Sequence, residues 1–243
     1  MNKILIFIIL LIIYLIFFVK KSNRYEHLPM NNYNKIKHKF KTGDIILFSC
    51  KIHSSFINNL EYYIRTNFIG SEYGHVGIIL KINNGIYLVE CTGHDHIADN
   101  YAYRMNDYGK GGVRIIDFEV ILKYYHNETH GNFAVKFISK EIPNKIFLSK
   151  LKDYKHIIFR DKENVYYRAI LDVAVSHDLS EKIFEEEEAV EMVCSEFVHH
   201  FLHKCNILDK YVSNLFWPHL FTDGTFDELA LVSYSEPYKF IIS

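Results

Sequence analysis

The longest apolar run in the chain lies at its start. Every residue from Ile4 to Val19 is aliphatic, Phe or Tyr, a run of about 16 that at 1.5 Å per residue covers somewhat less than a ~30 Å hydrocarbon layer. Lys3, Lys20 and Lys21 flank it and can snorkel, and no small-x-small cleavage site follows. The pattern therefore predicts an uncleaved N-terminal transmembrane helix within residues 1–21. Residues 22–40 are polar, carry Lys and Asn and show no sustained period, so they read as a linker, and residues 41–243 as a single domain.

Within the domain, short apolar runs bounded by turn residues predict strands. Asp44 to Phe48 is one, and Val76 to Leu80 with Ile86 to Val89 form a hairpin across Asn83-Asn84-Gly85. Val113 to Phe118 and Phe133 to Ile138 are further strands, and the aromatic-rich tail from Ser233 adds a closing one. Helical spacing of Phe56, Leu60, Tyr63 and Ile64 predicts a short helix over Ser54 to Thr66, and helices also follow over Val165 to Val175 and Glu185 to Cys205. In the last of these Val193, Phe197, Phe201 and Leu202 share a face, with Cys194 near its N-terminal part; Glu185 to Glu188 read as a solvated helix start. These elements describe an α+β domain with a small antiparallel sheet against the cysteine helix.

Hydrophobic residues make up 49% of the chain, with 18 Tyr and 19 Phe, which is ample for a core and excludes compositional disorder. A formal net charge of -1 gives no global attraction to nucleic acid or to an anionic bilayer, and no glycine-rich phosphate loop is present. Lysines are denser behind the apolar run than before it, which places the body on the cytoplasmic or virion-interior side of the expected membrane. The sequon Asn127-Glu128-Thr129 points the other way but is a short match. Four cysteines, Cys50, Cys91, Cys194 and Cys205, are too sparse for a disulfide scaffold and lack CxxC pairs, so they read as free thiols in a reducing compartment.

Thiol-based acyl transfer needs a thiolate, an imidazole and a group that orients the imidazole. Cys194 near a helix start, His75 opening the Gly74-His-Val-Gly-Ile-Ile79 strand, and Glu90 ending the next strand are candidates for the three roles. Amides of the helix start can line an oxyanion site. On spacing alone, a cysteine such as Cys194 on an apolar helix face is usually a small buried hydrophobe, and a strand-end Glu90 commonly a surface carboxylate.

The segments Gly43-Asp-Ile-Ile-Leu47, Gly74-His-Val-Gly-Ile-Ile79, Val89-Glu-Cys91 and Val193-Cys-Ser-Glu-Phe-Val198 occur in an order that resembles the circularly permuted branch of the NlpC-type papain-like superfamily. That branch includes YiiX-like bacterial enzymes, a poxviral group and, more distantly, lecithin retinol acyltransferase. The resemblance covers Lys41 to about Phe221 and is weak over Tyr101 to Glu188. It implies a permuted papain-like fold with Cys194 as nucleophile, His75 as general base and acid, and Glu90 as the orienting residue. It also implies that Asp44, at the sheet edge, is structural or substrate-lining, and that Trp217 of Leu215-Phe-Trp-Pro218 walls the substrate pocket.

The resulting expectation is a membrane-anchored thiol hydrolase acting on a peptide, an amino-acid amide or a lipid ester, without cofactor, metal or nucleic acid. Two other classes compete. His199 and His203, four apart on a helix, with His94-Asp-His96 could hold zinc, although no HExxH glutamate accompanies them. A non-catalytic module of the same fold could hold a lipid or peptide at a membrane. The Ile-, Asn- and Lys-rich residue usage, with the poxviral likeness, points to a large DNA virus. Oligomeric state is not legible.

Overall fold

The computed structural model describes residues 30–49, 66, 72–93, 98–105, 111–129, 131–160, 191–211 and 217–242. The strands in chain order are β1 (Asn31–Asn32), β2 (Ile45–Ser49), β3 (His75–Ile82), β4 (Gly85–Thr92), β5 (Ala102–Arg104), β6 (Gly112–Asp117), β7 (Asn132–Lys136), β8 (Ile158–Phe159), β9 (Glu191–Met192) and β10 (Tyr238–Ile241). The helices are α1 (Tyr33–Ile36), α2 (Phe118–Thr129), α3 (Asn144–Leu151), α4 (Cys194–Lys204) and α5 (Thr225–Leu229).

The domain is α+β, but its sheet is neither small nor purely antiparallel. Eight strands run in the order β1-β10-β7-β2-β3-β4-β6-β5, and β1 joins β10 in parallel while the other neighbours are antiparallel. A separate parallel pair, β8-β9, stands before the cysteine helix. Its central strands are apolar on both sides and need cover on both. All five residues of β2 are buried. Ile45, Leu47, Val76, Ile78, Val89 and Cys91 face one layer, which holds Phe147 and Leu151 of α3 and Phe197, Val198, Phe201 and Leu202 of α4. Ile46, Phe48, Ile79 and Leu88 face the other, with Tyr33 and Ile36 of α1, Phe118, Ile121 and Leu122 of α2, and Phe240.

The predicted hairpin is present, closed by Asn83 and Asn84 with Gly85 as the first residue of β4, paired to Ile82. Asn83 takes the left-handed conformation the tight turn demands, at φ 54°. Residues expected to form a linker instead build β1 and α1, and Tyr33, Ile36 and Phe40 are each at most 2% exposed, so the packed body starts well before Lys41.

The expected transmembrane helix is corrected. Among the described residues no helix is long and apolar enough to cross a membrane. The Ile4 to Val19 run to which the span was assigned lies outside those residues. The membrane anchor, the membrane as partner and the single-pass localisation are accordingly set aside. The helices expected over Ser54 to Thr66 and Val165 to Val175, the Glu185 to Glu188 run, Cys50, and His94 with His96 also fall outside or almost wholly outside the described residues.

Candidate active site

The cysteine helix starts later than its periodicity suggests. Glu191 and Met192 are extended in β9, Val193 is the N-cap in β geometry, and Cys194 is the first helical residue. This puts the thiol in the turn whose amides have no partner inside the helix. The start is fixed by Glu196, whose Oε2 accepts the Val193 amide at 2.9 Å while Oε1 accepts Arg160 Nη1 at 2.7 Å. Arg160 in turn donates from Nη2 to the Glu191 carbonyl at 2.8 Å and from its backbone amide to the Met192 carbonyl at 3.0 Å, tying β8 to the approach to Cys194. Cys91 on β4 donates its thiol to the same Met192 carbonyl at 3.4 Å, which brings the end of β4 against this junction.

His75 is the first residue of β3, opposite Phe48 of β2. Its imidazole stacks at 26° on Tyr125 of α2, and Cys194 of α4 is the neighbour that acts on it most strongly. His75 thus sits where the two helical layers meet at the end of the sheet. Its Nε2 donates to Glu90 Oε2 at 2.5 Å, which leaves Nδ1 as the nitrogen for Cys194. Cys194 is buried at 8% exposure and the His75 side chain is 13% exposed, while Glu90 is 0% exposed, so what access the arrangement has is at its thiol and imidazole end and the carboxylate end is sealed.

Burial by itself would lower the His75 pKa, but the neighbouring Cys194 and then Glu90 outweigh it and raise it to about 10. Glu90 is moved the other way: burial would raise it, yet Arg114 and His75 bring it down to about 2. Arg114, on β6 directly across from Glu90, donates from Nε to Oε1 at 2.8 Å and holds Nη2 in an ion pair 2.7 Å from the same oxygen. That contact was missed in the sequence, where a lone Arg inside the Val113 to Phe118 run carries no sign of its partner 24 residues earlier. Glu196 and Arg160 were missed similarly, although Glu at the third helical position is a recognisable N-terminal signature.

The remaining candidates lie elsewhere. Asp44 is fully buried at the other end of β2, where Oδ2 accepts the Lys41 amide at 2.7 Å and Oδ1 the Ile138 amide at 2.8 Å. Burial raises its pKa to about 7 despite both bonds. It ties a turn to the end of β7 and does not join His75 or Glu90. Trp217 caps the short 3-10 turn Pro218–Phe221, whose Phe221 packs in the same core layer as Cys194. Among the described residues no cluster of three or more His, Cys, Asp or Glu could hold a metal ion. His199 is fully buried, and burial lowers its pKa to about 3. A hollow of about 800 Å³ beside Lys39, Lys81 and Asn83 has none of the reactive groups. It lies at the far end of β3, roughly 20 Å from His75 at ~3.3 Å per residue.

Compared with known sequences, the chain is 44% identical over 232 residues to "Uncharacterized protein R372" of Acanthamoeba polyphaga mimivirus, covering 93% of this chain and 92% of that one. The chain belongs to the family of this mimivirus protein. That relative is viral, in keeping with the residue usage. No family model matches.

Proposed function

We propose that the chain is a thiol hydrolase or acyltransferase of the permuted papain-like kind, with Cys194 as nucleophile, His75 as proton carrier and Glu90 as the group that orients it. The observation that supports this best is one imidazole bonded to Glu90 through Nε2 while meeting the Cys194 thiol. A structural histidine has no need of a buried carboxylate on one side and a thiol at a helix start on the other.

In this reading the proton of Cys194 rests on His75 before substrate arrives. Cys194 Sγ attacks the carbonyl carbon of an amide or ester, and amides of the first turn of α4 receive the developing oxyanion. The imidazolium gives its proton to the departing amine or alkoxide as the C–N or C–O bond breaks, leaving an acyl-thioester. Acylation removes the sulfur's charge, the largest influence holding the His75 pKa up, so burial can then lower it. The neutral imidazole takes a proton from water or another acceptor, whose oxygen or nitrogen attacks the thioester and frees the sulfur.

The test is a screen of the protein against peptide amides, amino-acid amides and carboxylic esters, with Cys194→Ala as control. Cys194→Ala is expected to stay folded and to lose turnover by on the order of a thousandfold or more. Undiminished turnover in that variant overturns the reading.

A further inference from the structure

We infer that Arg114 is a positioning residue for the proposed reaction, keeping Glu90 ionised and turned toward His75. This rests on the thiol-hydrolase reading and extends it to a residue that touches neither sulfur nor imidazole.

Glu90 is completely buried, and a carboxylate in such a place takes up a proton unless a cation stands beside it. Arg114 is that cation, itself only 1% exposed. Its hydrogen bond and its closest ion-pair contact with Glu90 both fall on Oε1, which leaves Oε2 to His75. The two oxygens are thus divided between two partners, and the carboxylate cannot rotate without breaking one set.

Arg114 needs its own anion, and Asp99 provides it. Arg114 Nη1 donates to Asp99 Oδ1 at 2.8 Å, and Arg104 Nη2 reaches the same oxygen at 2.6 Å. Arg104 is the strand partner of Arg114, so two guanidiniums face each other across β5 and β6, and Asp99 makes that tolerable. Arg104 Nη2 also donates to the Gly93 carbonyl at 2.8 Å, just past the end of β4. Two carboxylates and two guanidiniums form a charge-balanced row running from the sheet edge to His75. The planar Arg114 fork serves both Glu90 and Asp99, which a lysine's single ammonium would do poorly.

The consequence is chemical as well as mechanical. Without Arg114, Glu90 would hold a proton, and His75 would lose one of the two anions that favour its imidazolium and so become a weaker proton acceptor beside Cys194. The experiment is the rate of Cys194 alkylation by iodoacetamide from pH 5 to 10, located by peptide mass spectrometry. It is run on the full chain as wild type, Arg114→Lys, Arg114→Met, Glu90→Gln and the double variant Glu90→Gln/Arg114→Met, with a thermal melt of each. Wild type is expected to alkylate at pH 6 faster at Cys194 than at Cys91 or Cys205. Arg114→Met should alkylate at Cys194 on the order of tenfold more slowly than wild type at pH 6, and recover at pH 9. Arg114→Lys should lie between, and the double variant should be no slower than Glu90→Gln, because both changes act through one carboxylate.

If Arg114 only joins β4 to β6, the melts will shift and the alkylation profiles will not, and the inference is overturned. Should Arg114→Met fail to fold, Arg114→Lys, which keeps the buried charge, decides alone. If wild-type Cys194 at pH 6 reacts no faster than Cys91 or Cys205, the thiol-hydrolase reading itself fails, independently of Arg114.

Discussion

Glu196 and Arg160 form a buried ion pair at 2.7 Å that holds the first turn of the cysteine helix against β8 and β9. Both residues are largely inaccessible, Glu196 at 3% and Arg160 at 7%, so removing one strands the charge of the other. Glu196→Ala should therefore cost about 3–5 kcal/mol in a denaturant titration. Glu196→Gln, which can still accept the Val193 amide, should cost less. Equal stability of Glu196→Ala and wild type would show that the helix start is held by something else.

The linked His75–Glu90 pair gives stability a dependence on pH. The His75 pKa stands above its ordinary value, at about 10, so its contribution is complete below about 6.5 and disappears as pH rises through 10. The Glu90 pKa lies below its ordinary value, at about 2, so its contribution is complete above about 4.5 and disappears as pH falls through 2. The melting temperature of wild type should fall between pH 7 and 10 by more than that of Glu90→Gln, in which the imidazolium has already lost one anion. A difference of a few degrees is the expected scale, at roughly 2–4 °C per kcal/mol for a chain of this size. Parallel curves for the two proteins would remove His75 as the titrating group.

Asp44 separates a structural role from a substrate role. Its two oxygens are occupied by the Lys41 and Ile138 amides at the opposite end of β2 from Phe48, the neighbour of His75. Asp44→Asn can keep one acceptor but not both, and should lower stability by about 1–2 kcal/mol. Cys194 alkylation and any turnover should be unchanged at temperatures where the variant is folded. A rise in KM with unaltered stability would instead place Asp44 in contact with substrate.

Much of the architecture was legible because it rests on local rules. β2, β3 and β4 announce themselves as apolar runs, and the Asn-rich turn between Ile82 and Gly85 forces the hairpin that carries Glu90 back beside His75. The helix start at Cys194 was less clear, since the apolar spacing continues smoothly through Met192 and only the cap geometry separates strand from helix. α2 was missed although its signal was present. Asp117 Oδ1 accepts the Glu119 and Val120 amides, and Phe118, Ile121, Leu122 and Tyr125 follow at helical spacing. The same is true of Tyr33, Ile36 and Phe40, whose spacing was diluted by the surrounding lysines. Arg114, Asp99 and the size of the sheet were not legible in one sequence. They depend on which strands become neighbours, as when β7 and β10 add beside β2, and no local preference encodes that pairing.

Gly77 tests how tightly the histidine strand is fitted to the strand beside it. A Cβ at this position would lie 2.7 Å from Leu88 Cδ1 and 3.1 Å from the Val89 carbonyl oxygen. Leu88 is fully buried and belongs to the tightly filled layer under α2, so its side chain has little freedom to withdraw. Relief must come from separating β3 and β4, and those strands hold His75 and Glu90 together. Gly77→Ala should lose about 1–3 kcal/mol of stability, typical of an overpacked core. It should also slow Cys194 alkylation at pH 6 more than at pH 9, because a displaced Glu90 supports the imidazolium less well. The double variant Gly77→Ala/Leu88→Ala opens the space that the new methyl needs. Recovery of the wild-type alkylation profile in that protein, even with a lower melting temperature, would tie the effect to strand spacing; no recovery would mean that Gly77 acts on the site by another route.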